Sequence, residues 1–194
     1  ITTERFVSSD GPNAVSVINH TDGVFNIVGT NNTGSTSGSF LLGHWGGGSS
    51  TVYNLSGGEL NSLGARMSLG WDSSNVVVNQ TGGTANILGL GLTNGRNNPA
   101  TYNLDGGFLI LGTIGIQANG NKSVNLGGGT LGSLASWSTT QPLFLSNAAG
   151  TSTIAPAAGH NIVLSGGLTD LFDDPSDDPD LGAVNLGNGF IKAG

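Results

Sequence analysis

The chain has 194 residues, 35 of them glycine, and only 9 % are charged, for a net charge of −7. Five scattered basic residues, Arg5, Arg66, Arg96, Lys122 and Lys192, cannot form the patch that a phosphate backbone requires, which excludes nucleic acid as a partner. There is no cysteine, so no disulfide or thiolate site, and no apolar run long enough to insert in a membrane.

Helix formers are scarce, and Gly, Asn, Ser and Thr dominate. Those residues favour turns and edges over helix interiors, so the chain is predicted to be all-β. Apolar residues make up 36 % and recur at regular positions, which a flexible linker does not need.

Residues 1–14 are expected to form an N-terminal edge segment. The chain opens on Ile1 rather than Met, which reads as a processed or excised piece. From residue 15 to 194 one phrase returns: a β-branched or aromatic residue, usually Asn, one more residue, then small residues and glycine. It starts at Ile18, Tyr53, Val78, Tyr102, Val124, Ile162 and Val184. The steps between copies are 35, 25, 24, 22, 38 and 22 residues. A basal period of 22 to 25 with two longer steps predicts a solenoid with loop insertions, placed near 30–39, 146–159 and 170–180.

Two more short strands follow within a repeat, as in Phe25-Asn26-Ile27-Val28 and Leu41-Leu42-Gly43-His44. Three short strands and three turns fill one coil. The predicted fold is therefore a right-handed, single-stranded parallel β-helix (β-solenoid) of about seven coils, with glycine at the corners. One coil cannot bury its own inward row, but coils stacked about 4.8 Å apart can. Asn19, Asn54, Asn79, Asn103, Asn125 and Asn185 would then stack as a structural amide ladder, facing either inward at a bend or outward.

Phrases such as Thr51-Val52-Tyr53-Asn54-Leu55-Ser56-Gly57-Gly58 and Ala100-Thr101-Tyr102-Asn103-Leu104-Asp105-Gly106-Gly107 resemble the "TYNLNGGTLN" repeats of very large exported bacterial proteins. Those proteins carry autotransporter-associated β-strand repeats and are abundant in Verrucomicrobia and Planctomycetes. The stretches Ile162–Leu168 and Gly187–Gly194 are similar to the "ITLSG…GGLTKAG" phrase that precedes such repeats. The insertion at 170–180 departs from the pattern. The resemblance implies export and a surface fibre, adhesin or matrix role, with no catalytic residue to carry over.

The chemistry-bearing residues each have an ordinary structural use as well. Asp22, Glu59, Asp72 and Asp105 are the carboxylates on coil bodies, and a glycosidase needs two of them at a set separation. Asp22, Asp72 and Asp105 sit at turns, where Asp is common. Arg66, Arg96 and Lys122 read as solvated turn residues. His20, His44 and His160 share no metal-ligand spacing, and His20 takes a slot that Leu fills in other coils. Asp170, Asp173, Asp174, Asp177, Asp178 and Asp180 cluster in an acidic loop that would suit calcium; the alternative is a solvated loop. Trp45 and Trp71 follow matching third-strand positions, and on one edge they could stack on sugar rings; corner packing, also open to Trp137, is the alternative. The sequons at Asn19, Asn31, Asn54, Asn79 and Asn121 are ascribed to chance in an Asn-rich chain.

The expected function is structural or adhesive, not enzymatic. The chain reads as a rigid spacer or fibre subunit, extracellular or at the cell surface, self-associating end to end through open solenoid edges unless sequence continuing beyond either terminus caps them. A carbohydrate-binding module with a polysaccharide partner is the first alternative. A polysaccharide lyase or glycoside hydrolase is the second.

Overall fold

The computed structural model describes residues 1–31, 39–45, 47–71, 75–92, 98–118, 122–146, 149–170, 184–186 and 190–191; for Asp170 and the last two segments only the backbone is described. The fold is all-β with no helix among the described residues, and every strand pairing is parallel. The strands stack as a β-solenoid of about six turns. The core is a thin column running inside the stack.

Three faces alternate along the chain. The first is built by β3 (Val15–His20), β6 (Ser50–Leu55), the start of β9 (Asn75–Leu92), the start of β10 (Ala100–Ala118), β11 (Lys122–Leu126), β14 (Leu143–Leu145) and β17 (Leu168–Asp170). The second holds β1 (Thr2–Thr3), β4 (Val24–Ile27), β7 (Glu59–Ser62), the middles of β9 and β10, β12 (Thr130–Ser133), β15 (Ser152–Pro156) and β18 (Val184–Leu186). The third holds β2 (Phe6–Val7), β5 (Phe40–Leu42), β8 (Met67–Leu69) and the ends of β9 and β10. It continues in the sheet of β13 (Trp137–Thr139), β16 (Ile162–Leu164) and β19 (Phe190–Ile191).

Alternation decides which side chains go inside. In β6, Thr51, Tyr53 and Leu55 are buried while Ser50, Val52 and Asn54 face outward. Parallel register turns such positions into internal rows. Ile18, Tyr53, Val78, Tyr102 and Val124 make one. Phe25, Leu60, Ala85, Leu109, Leu131 and Ile154 make another.

The corner between the first two faces demands glycine. Gly58, Gly83 and Gly107 have φ of 72°, 64° and 68°, a region that costs an L side chain energy. Each also lies on the backbone of the coil below: a Cβ on Gly83 would meet the Gly58 carbonyl oxygen at 2.8 Å.

Three sequence expectations need correcting. Residues 1–14 belong to the stack itself, since β1 and β2 pair with β4 and β5. The expected insertion at 146–159 contains strand β15, seated on β12. The repeat phrase also changes face late in the chain. Its copy at Ile162 forms β16 on the third face, and its copy at Val184 forms β18 on the second. Asn185 therefore pairs in register with Thr153 and stands off the first-face ladder. The phrase suits any face, because every face needs alternating apolar residues followed by a tight corner. The insertion at 30–39 is closed by Ser39 N–H donating to the Asn31 carbonyl at 2.9 Å. Residues 32–38 and 171–180 lie outside the described residues.

Candidate functional site: amide ladders

The outward row of the first face is a continuous amide ladder. Asn54 Nδ2 donates to Asn19 Oδ1 at 2.9 Å, Asn79 to Asn54 at 2.9 Å, Asn103 to Asn79 at 2.9 Å and Asn125 to Asn103 at 2.7 Å. The ladder faces out because each Asn is flanked by inward residues, such as Tyr53 and Leu55 around Asn54. It has a polarity. Asn19 is its exposed donor end, and Asn125 Oδ1, its acceptor end, is buried without a partner where Phe144 takes the next register position.

A second ladder runs up the second face. Asn61 Nδ2 donates to Asn26 Oδ1 at 3.0 Å and Asn86 Nδ2 to Asn61 Oδ1 at 2.9 Å. Asn86 Nδ2 also donates to Glu59 Oε1 at 3.1 Å. The signal was present in the sequence: Phe25-Asn26, Leu60-Asn61 and Ala85-Asn86 share one pattern in the second strand.

Inside, two tyrosines each donate to a polar side chain in the coil below. Tyr102 Oη donates to Gln80 Oε1 at 2.6 Å, and Gln80 Nε2 donates to the Phe108 carbonyl at 3.0 Å. Tyr53 Oη donates to His20 Nδ1 at 3.1 Å, while His20 Nε2 donates to the Gly23 carbonyl at 3.3 Å. His20 and Gln80 share the inward row of Leu55, Leu104 and Leu126, so each polar intruder brings its own partner. Burial pushes both phenols above the ordinary tyrosine range.

The other sequence-marked residues are dispersed. Lys122 is buried, its Nζ donating to the Asn98 carbonyl, and burial lowers its pKa. Arg66 is half-buried and reaches past Gly91 to Gln117 Oε1 at 2.7 Å. Neither is a solvated turn residue: Lys122 ties its coil to the one before through a backbone oxygen, and Arg66 spans the intervening coil to an amide oxygen two coils on. His44 Nδ1 donates to Asp10 Oδ1 at 2.8 Å, tying the first turn to the second, and its Nε2 has no partner. Trp71 lies in register with His44, one residue away from Trp45; Trp45 is 50 % exposed, Trp71 is partly buried and Trp137 is buried. Asp22 caps the Gly23 amide at 2.6 Å. It lies three coils from Asp105, about 14 Å at the coil spacing, wider than the roughly 5–9.5 Å of glycosidase pairs. Burial raises the Asp105 pKa. Among the described residues no group of three His, Asp or Glu could hold a metal ion. Asp72, Arg96 and Asn121 lie outside the described residues, as do Asp173, Asp174, Asp177, Asp178 and Asp180, and of Asp170 only the backbone is described.

The first turn supplies β1 to the second face and β2 to the third, but among the described residues nothing covers β3 on the first. A cavity of about 530 Å³ lies there, lined by Ile1, Phe6, Ile18, Val24, Phe25 and Tyr53, with His20, Asn19, Asp22 and Arg5 among its polar residues.

No family model, curated protein or solved structure matches the chain.

Proposed function

We propose that this chain is a non-enzymatic structural β-solenoid, a rigid spacer or fibre subunit of an exported bacterial surface or matrix protein, which associates end to end. The observation that carries the reading is the stacked column itself: parallel register runs from β3 through β11, with apolar rows inside and an outward Asn ladder along it. An uncovered sheet edge is a template for another strand, and a heterologous contact of that kind grows open polymers. Mixed inward rows and outward ladders make the column stiff, as suits a spacer. The resemblance to autotransporter-associated repeats supports export to the cell surface.

Electron microscopy of the purified chain at neutral pH, with and without a calcium chelator, tests this. Rods with a regular axial repeat are expected, and loss of rods in chelator would assign calcium to the 170–180 loop. Dispersed short particles in both conditions would contradict end-to-end association. The half-exposed Trp45 favours a second reading, a carbohydrate-binding face. Quenching of Trp fluorescence by a soluble polysaccharide, lost in Trp45→Ala, is its signature.

A further inference from the structure

We infer that the outer side of the third face carries a binding site for one carboxylate of an acidic polysaccharide, a uronate unit held by Arg66, Ser68 and Gln117. The inference goes beyond both readings above, since neither uses these residues.

Register assembles the site. Ser68, Gly91 and Gln117 are successive partners in the third-face ladder. Ser68 stands outward, because Met67 and Leu69 on either side of it belong to the core. The middle position has no side chain, and Arg66 fills the space. A Cβ on Gly91 would meet Arg66 Cδ and Nε at 3.1 Å. Arg66 Nη1 donates to Gln117 Oε1 at 2.7 Å. One side of the guanidinium is therefore held, and its Nε–Nη2 edge is left.

That edge is unmatched. Arg66 Nε is buried without a partner, and so is Ser68 Oγ, on a residue only 4 % exposed. No carboxylate pairs with Arg66 among the described residues, although the chain has 12 acidic residues against 5 Lys and Arg. Burial lowers the Arg66 pKa, in keeping with a cation that has lost water and gained no anion. One coil spacing, about 5 Å, separates the Ser68 position from the guanidinium over Gly91. A single acceptor oxygen bridges such an interval at ordinary hydrogen-bond lengths.

The donors select the ligand. The Nε–Nη2 edge presents two parallel N–H groups, which match a planar carboxylate. One guanidinium balances one carboxylate, whereas a net charge of −7 repels a densely charged phosphate or sulfate polymer. Gln117 is exposed and its oxygen is already bound, so its amide nitrogen remains for a sugar hydroxyl. A uronate supplies the carboxylate and the hydroxyls on one ring. Arg66 as a whole is half-buried, so the ligand approaches from outside the column.

The test titrates the intact chain with a tetramer of mannuronic acid and follows the Arg66 Nε–H resonance by NMR. The resonance should shift and saturate, and the neutral mannose tetramer should leave it in place. Arg66→Lys keeps the charge and loses the fork, and should weaken binding about tenfold or more. Gly91→Ala should weaken it as well, with Arg66 intact. The added methyl group meets only the flexible Arg66 side chain, so the fold is kept and the guanidinium is displaced. Ser68→Ala should weaken binding severalfold at no cost in stability, since it removes a buried hydroxyl that has no partner. Trp45→Ala should leave the titration unchanged, which separates this site from the Trp45 reading. A resonance that does not move, or full binding by both Arg66→Lys and Gly91→Ala, would overturn the inference. Equal binding of a glutamate tetrapeptide would overturn its assignment to a sugar.

Discussion

The coils between Asn19 and Asn125 and the coils after Leu126 use the same vocabulary to different effect. In the first region each copy of the repeat phrase lies on the copy before it, so the chemistry is cumulative. Corner glycine stacks on corner glycine, Asn bonds to Asn, and each buried tyrosine finds a polar partner one coil below. In the second region the phrase moves to other faces, Phe144 meets Asn125, and the ladder ends on a buried carbonyl oxygen without a partner. The fold continues across the boundary because backbone pairing and inward apolar residues suffice for a solenoid. The ladder does not, because it needs identity at one register position.

The sharpest contrast is at the corners. Gly83→Val should cost about 3 kcal/mol or more, since it adds a clash with the Gly57 and Gly58 backbone to an unfavourable φ. Gly167 has a similar φ of 83° but nothing within 4 Å of an added Cβ, so Gly167→Ala should cost only about 1 kcal/mol. Urea unfolding midpoints measure both. Equal losses would mean that stacking adds nothing at the corner.

The buried tyrosines come next. Tyr102→Phe should cost about 2 kcal/mol, because it strands Gln80 Oε1 inside the column. Burial raises the pKa of both tyrosines above the unfolded value near 10, so the folded state holds protons that the unfolded state releases. Their contribution is complete below about pH 10 and falls above it, by about 1.4 kcal/mol per pH unit for each phenol. Tyr102→Phe should halve that alkaline slope, which stability measured against pH would reveal.

Ladder substitutions are smaller and graded. Asn79→Ala breaks two rungs and should cost about 1–2 kcal/mol, whereas Asn19→Ala, at the exposed end, should cost less than about 0.5 kcal/mol. A flat profile would mean that water replaces the rungs at no loss.

Much of this was legible in the sequence, and the illegible part has physical causes. Hydrophobic alternation and the glycine corners announce a solenoid, and the steps of 35, 25, 24 and 22 residues are the true sequence separations of the ladder rungs. His20 stood out in the sequence as a polar residue in a leucine slot; its partner, Tyr53, is one coil on and was not marked by any local pattern. The phase of the later coils was hidden, because Ile162-Val163-Leu164 has the same local form whichever face it occupies. Only its pairing with Trp137–Thr139 assigns it to the third. Burial of Lys122 was hidden as well, because its acceptor, the Asn98 carbonyl, is backbone and leaves no side-chain signature.

The account stands on fixed parallel register between successive coils. Thr101 and Ser123 are register partners on the first face, their hydroxyls 3.1 Å apart, and the natural chain has no cysteine. Mild oxidation of the double variant Thr101→Cys, Ser123→Cys tests the register directly, with Val77→Cys, Ser123→Cys, two coils apart, as the control. The account predicts rapid disulfide formation in the first and none in the second, since a bridge needs Cα atoms within about 7 Å. Failure of the first pair, or equal oxidation of both, would contradict it.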